Sequence, residues 1–205
     1  MNRTLGPIAA TLALSAVACL PLTGCHVHTD KNSNGDNVDI GTPFGSMQVK
    51  TNDKADTAAL GLTAYPGAVP VKENDKDSSN ADIYMSFGGF HLGVKAAAFQ
   101  TPDQQEKVLA FYRKDLGRYG DVIECKGSST IGQPTHTAQG LTCDTSRGNH
   151  VSTGSLDGSS VELRAGSAQH QHIVGVEPKD GGTKIGLVAL DLPSHLSGHG
   201  KNDIE

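Results

Sequence analysis

An almost wholly apolar run from Ile8 to Leu22 lies near the start of this 205-residue chain, and it decides how much of the sequence is left to fold. Arg3 precedes it, no acidic residue interrupts it, and it is shorter than the about 20 apolar residues that a membrane-spanning helix needs. A basic start followed by a short apolar centre is the build of a secretory signal, which is removed after export. The folding unit is therefore expected to begin after Gly24 and to work beyond a cytoplasmic membrane.

The end of the run is more specific than a generic signal. Leu22-Thr23-Gly24 sits directly before Cys25, and this phrase resembles the lipobox of bacterial lipoproteins. The resemblance covers residues 1–25. It implies cleavage between Gly24 and Cys25, a diacylglycerol joined to the Cys25 thiol, and an N-terminus acylated by a palmitate-like chain. The covalent lipid on Cys25 would be the one prosthetic group, and the lipid bilayer the first partner. Each buried CH₂ is worth about 0.8 kcal/mol, so several chains give a stable anchor where one would be marginal. The alternative is an ordinary signal with a chance cysteine. His26, where some lipoproteins carry Asp, resembles the pattern sent on to the outer membrane of Gram-negative bacteria. The expected location is the periplasmic face of the cell envelope.

Charge and cysteine usage agree with that compartment. Without Arg3 the 17 basic residues become 16, against 22 acidic ones. A mildly acidic chain has no electrostatic reason to bind nucleic acid. Cys19 leaves with the leader and Cys25 takes the lipid, so Cys125 and Cys143 remain as a pair. Outside the cytoplasm such a pair is expected to be a disulfide, and on the loop-entropy account it contributes about 3 kcal/mol. Two buried thiols are the alternative.

Residues 25–57 read as the lipidated N-terminus and a polar tether. Asp30, Asn32, Asn34, Gly35 and Asp36 resemble the first half of a calcium loop, with oxygen ligands at alternate positions and Gly at the sharp turn. The twelfth position is Gly41, where an EF-hand has Glu, so a solvated linker is the competing reading. Val38 to Lys50 reads as a short hairpin turning at Pro43. Pro66-Gly67 signals a turn, and Tyr65-Pro66-Gly67-Ala68 is similar to a phrase near the start of small bacterial envelope domains.

The remainder, residues 58–193, reads as one domain. Ile83, Met85 and Phe87 alternate with polar residues, Gly88-Gly89 breaks the run, and Leu92 to Ala98 resumes it, giving two antiparallel strands. Thr101, Pro102 and Gln104 form a capping-box signal, Val108, Leu109, Phe111, Tyr112 and Leu116 recur at helical spacing, and Gly117 reads as a left-handed stop. This phrase resembles a strand-then-helix unit of uncharacterised bacterial secreted proteins. Asp121 to Cys125 and Gly140 to Cys143 read as strands, Val161 to Ala165 as a strand with one wet face, and Asp180-Gly181-Gly182 as a hairpin turn. Ser194 to Glu205 is a polar tail. The fold class expected is α+β: an antiparallel sheet of about five to six strands with one amphipathic helix packed on one face.

No nucleophile elbow, P-loop, dinucleotide fingerprint or zinc-protease motif occurs. Histidine is the remaining chemistry. His170 and His172 would project from one face of a strand and would share a transition metal if His136 or His150 supplied a third ligand. The competing reading puts both at the margin of the core. His26, His28, His195 and His199 lack the spacing of a closed site. Three function classes follow: a non-catalytic envelope module that binds a protein or wall component, a metal- or small-ligand-binding lipoprotein using His170 and His172, and an enzyme.

Overall fold

A computed structural model describes residues 25–32, 35–52, 57–71, 79–143 and 159–193. The leader with Gly24, then Asn34, His150 and the tail with His195 and His199, lie outside the described residues. The strands are β1 (His26–Asn32), β2 (Gly35–Thr42), β3 (Gly45–Asn52), β4 (Val69–Pro70), β5 (Asn80–Phe87), β6 (Phe90–Thr101), β7 (Ile123–Lys126), β8 (Ser129–Thr130), β9 (Val161–Gly166), β10 (His170–Lys179) and β11 (Gly182–Asp191). One helix, α1 (Gln105–Leu116), stands between β6 and β7. All described pairings are antiparallel, in the order β1-β2-β3-β5-β6-β11-β10-β9-β7-β8, with β4 alongside β6.

Among the described residues the sheet thus has eleven strands, not five or six. Much of the difference lies before residue 58. The stretch read as a tether forms β1, β2 and β3, and β3 pairs with β5 from Gly45↔Phe87 to Asn52↔Asn80. Its Asn, Asp and Gly residues signal turns, but Val27, Val38, Ile40, Met47 and Val49 keep a period of two that pairing turns into one apolar face. The expected Val38–Lys50 hairpin is the β2–β3 pair.

α1 belongs to the sheet because Val108, Leu109, Tyr112 and Leu116 recur on one stripe and are all buried. They pack on Val161, Leu163, Val174, Val176, Ile185 and Leu187 of the sheet, and Leu60, Leu62 and Tyr65 close the side of this core. Glu106 in the first turn and Arg113 and Lys114 in the last complement the helix dipole. The Thr101–Gln104 capping box does not form. Thr101 ends β6 and its hydroxyl accepts from the Asp103 amide at 3.3 Å, and Gln104 is the extended residue before the helix. Gly117 is right-handed, at φ −56°; the chain runs on through a short 3-10 turn to Gly120, whose φ of 117° makes the break.

The opposite face is covered near β7–β10. Gly140 to Cys143 is not a strand but part of a strap crossing the sheet, joined to β7 by the Cys125–Cys143 disulfide. Ile123, Leu141 and both cysteines form a small cluster there. β9 consequently has no wet face: Glu162 and Arg164 are buried, ion-paired to each other, and Arg164 donates to the Thr142 carbonyl at 3.0 Å. Alternation alone reads them as solvent-facing because charged residues are almost never buried unless paired.

Candidate functional site

The richest polar cluster is where the end of α1 meets the segment after β3. Gly61 takes the left-handed conformation, φ 65°, and turns its carbonyl toward the helix terminus, where it accepts from the Arg118 guanidinium and the Tyr119 hydroxyl. Asp115 accepts from the Thr63 amide at 3.1 Å and its hydroxyl at 2.7 Å, and pairs with Arg118 at 3.1 Å. Arg118 also lies 5.0 Å from the Tyr119 ring centre, and His172 stacks on the same ring, with centroids 3.6 Å apart and planes 11° from parallel. Thr63, Phe111, Lys114, Asp115 and Arg118 line an adjoining pocket of about 350 Å³.

This setting disfavours the charged form of His172. Burial lowers its pKa first, and the Arg118 charge lowers it further. Its Nδ1 is buried with no hydrogen-bond partner. The imidazole lies flat on the Tyr119 phenol, beside the Arg118 guanidinium that Asp115 holds. The pocket offers Lys114 and an aromatic wall to a small polar ligand.

A second network ties the start of the helix to the sheet. The Tyr65 hydroxyl donates to Asp103 at 2.6 Å, Lys107 pairs with the same carboxylate at 2.9 Å, and Thr183 donates to the Asp103 carbonyl at 2.7 Å. The Tyr65 hydrogen bond, then Lys107, hold the Asp103 carboxyl below the usual range. Burial and this carboxylate push the Tyr65 phenol up to about 12. A pocket of about 360 Å³ beside it is lined by Val69, Gln100, Thr101, Lys179 and the β10–β11 turn.

The residues singled out in the sequence fall as follows. Cys25 is exposed and free, directly before β1, and Cys125 is joined to Cys143. Of the calcium arrangement, Asp30 and Asp36 do not converge, and Asn34 lies outside the described residues. Asp30 stands opposite Asn37 and Asp36 opposite Lys31, so the two carboxylates point to opposite faces of the β1–β2 hairpin; Asn32 is in register with Gly35. Asp30 meets His28 at 3.0 Å and Asp36 meets Lys31 at 3.8 Å. His170 and His172 share a face but have separate partners: His170 Nδ1 is 2.7 Å from Asp191, and His172 is stacked on Tyr119. His136 lies in the strap beside Thr135. Among the described residues no group of three or more His, Cys, Asp or Glu side chains is placed to hold a metal ion. Asp115, Arg118 and Gly61 carry no motif, and only their convergence in three dimensions reveals them. No family model matches the chain, and neither a curated protein nor a solved structure matches it.

Proposed function

We propose that the chain is a lipoprotein of the bacterial cell envelope, held to the bilayer by acyl chains on Cys25, whose sheet domain is a non-catalytic binding or structural module on the periplasmic face of the envelope, at the outer membrane if the cell is Gram-negative. The observation that carries this reading is Cys25 itself: it follows Leu22-Thr23-Gly24, and among the described residues it is the free, exposed cysteine where Cys125 and Cys143 are joined. The disulfide suits an oxidising compartment. The pocket lined by Thr63, Phe111, Lys114, Asp115 and Arg118 has the volume of a small ligand and supports a binding role. Mass spectrometry of the purified protein tests the anchor. The expected result is a mature chain starting at Cys25 and heavier by a diacylglycerol and one acyl group, with Cys25→Ala lost from the membrane fraction. A Cys25→Ala chain cut at the same bond and still membrane-bound would sink the proposal.

A metal- or small-ligand-binding lipoprotein is the second reading, favoured by the unpartnered buried Nδ1 of His172. Stoichiometric zinc, copper or nickel in protein prepared without a histidine tag, lost on His172→Gln, would put it first.

A further inference from the structure

The strands β1, β2, β3, β5 and the first half of β6 form a wing whose two faces differ in chemistry. The registers Val27↔Ile40↔Met47↔Met85↔Leu92 place five apolar side chains in one row across five strands. Residues directly opposite one another share a face, and at about 4.8 Å per strand the row spans roughly 19 Å. A second row on that face runs Thr29↔Val38↔Val49↔Ile83↔Val94. The other face carries His28, Asp39, Gln48 and Tyr84 in register, a row that ends at Gly93, with His91 in the neighbouring row opposite Ser86. Val27 is 65% exposed, and Ile40, Met47, Val49, Ile83, Met85 and Leu92 are half-buried. A soluble wing has no reason to sort its residues this way, since apolar area of this extent is rarely left to water.

One end of the wing sharpens the point. His26 pairs with Gly41 and Gly45 with Phe87, so Cys25, the β2–β3 turn and the β5–β6 turn all lie at the same end. Phe44, 83% exposed, tips the first turn, and Phe87, 45% exposed, flanks the second. The Phe87 ring lies over Gly45, where a Cβ would come within 2.4 Å of it. No Asp, Glu, Lys or Arg occurs from Gly41 to Val49 or from Met85 to Val94. The opposite end carries Lys31, Asp36, Lys50 and Asp82.

We propose that the apolar face of this wing, at its Cys25 end, is a membrane-docking surface: Val27, Phe44, Met47, Met85 and Phe87 enter the interfacial region of the same bilayer that holds the acyl chains. The inference rests on the lipid-anchor reading, and three features choose lipid as the occupant. No spacer separates Cys25 from β1, so an anchor there brings the wing to the surface. The row is free of charge, and exposed aromatic rings at hairpin tips suit the boundary between headgroup and hydrocarbon.

The chain contains no tryptophan, so single replacements report their own surroundings. Phe44→Trp and Phe87→Trp mark the docking end, Tyr84→Trp the polar face, and Val69→Trp the distant β4. Each acylated protein is reconstituted into phosphatidylethanolamine–phosphatidylglycerol vesicles with brominated acyl chains. Phe44→Trp and Phe87→Trp are expected to shift emission to shorter wavelength and lose most of it to bromine, while Tyr84→Trp and Val69→Trp stay open to aqueous acrylamide. Phe44 makes little packing, so its variant decides the matter if Phe87→Trp fails to fold. Equal quenching at all four positions overturns the proposal, as does shielding of Phe44→Trp from both bromine and acrylamide, which would mean a second protein covers the tip. Protein that floats with vesicles and carries acyl chains but shows a water-exposed Phe44→Trp signal overturns the docking surface and leaves the anchor standing. An unacylated chain whose Phe44→Trp signal is still quenched by bromine removes the anchor and keeps the surface; one that neither carries lipid nor binds vesicles removes both.

Discussion

Reduction of Cys125–Cys143 should cost the domain about 3 kcal/mol, and the structure says how that loss divides. The bridge spans a sequence separation of 18, for which the chain-entropy account gives roughly 3 kcal/mol at 25 °C. For a domain of this size each kcal/mol lowers Tm by about 2–4 °C, so reduction should lower it by roughly 6–12 °C. Reduction keeps both sulfur atoms in the cluster with Ile123 and Leu141, whereas Cys125→Ala with Cys143→Ala also leaves two small voids, each on the order of 1 kcal/mol. The double variant should therefore be less stable than the reduced protein. The assay is urea denaturation of oxidised, reduced and double-alanine protein followed by circular dichroism. Amide exchange supplies the local readout: the Leu141 amide, bonded to the Thr137 hydroxyl at 2.9 Å, should lose protection first, because the strap is then held by that turn, by the Ala138 amide on Asp121 and by Arg164 on the Thr142 carbonyl. If the reduced and oxidised forms agree within about 0.5 kcal/mol, the cross-link does not hold the strap and the reasoning fails.

Two further outcomes follow from the polar networks. Tyr65→Phe removes the hydrogen bond that does most to depress the Asp103 pKa, so that carboxyl should titrate nearer the ordinary range near 3.9 in a carbon-detected NMR titration; an unmoved Asp103 would leave Lys107 as its sole support. His172 has a folded pKa below its unfolded value near 6.5. The unfolded chain then binds more protons, so the stabilising contribution is complete above pH 6.5 and is lost as pH falls below it. Wild type should lose more stability than His172→Gln between pH 7.5 and pH 5.5 in matched denaturation curves; parallel losses would show that His172 is not the titrating group.

What could be read without coordinates was local. Val108, Leu109, Tyr112 and Leu116 announce the helix by spacing, Asp180-Gly181 announces the β10–β11 hairpin, and counting cysteines leaves Cys125 and Cys143 for each other. What could not be read depends on partners far away in sequence. The period of two in Val27, Val38–Ile40 and Met47–Val49 is short and set among turn formers, and it acquires meaning only when β5 and β6 extend the same rows. Glu162 and Arg164 look wet until the strap covers them. Gly61 looks like a loop residue until Arg118 and Tyr119, 57 and 58 positions away, close on its carbonyl.

The two borders of the sheet are unlike. At one border β8 has two residues, Ser129 and Thr130, followed at once by the strap. At the other, β1 is seven residues long, and among the described residues nothing pairs with its outer side. A row of backbone donors and acceptors left open in this way is a template for strand addition. Among the described residues β1 is the longer open border, and a guest strand paired with it would lie immediately next to Cys25, with Asp30 and Lys31 on opposite faces of its host.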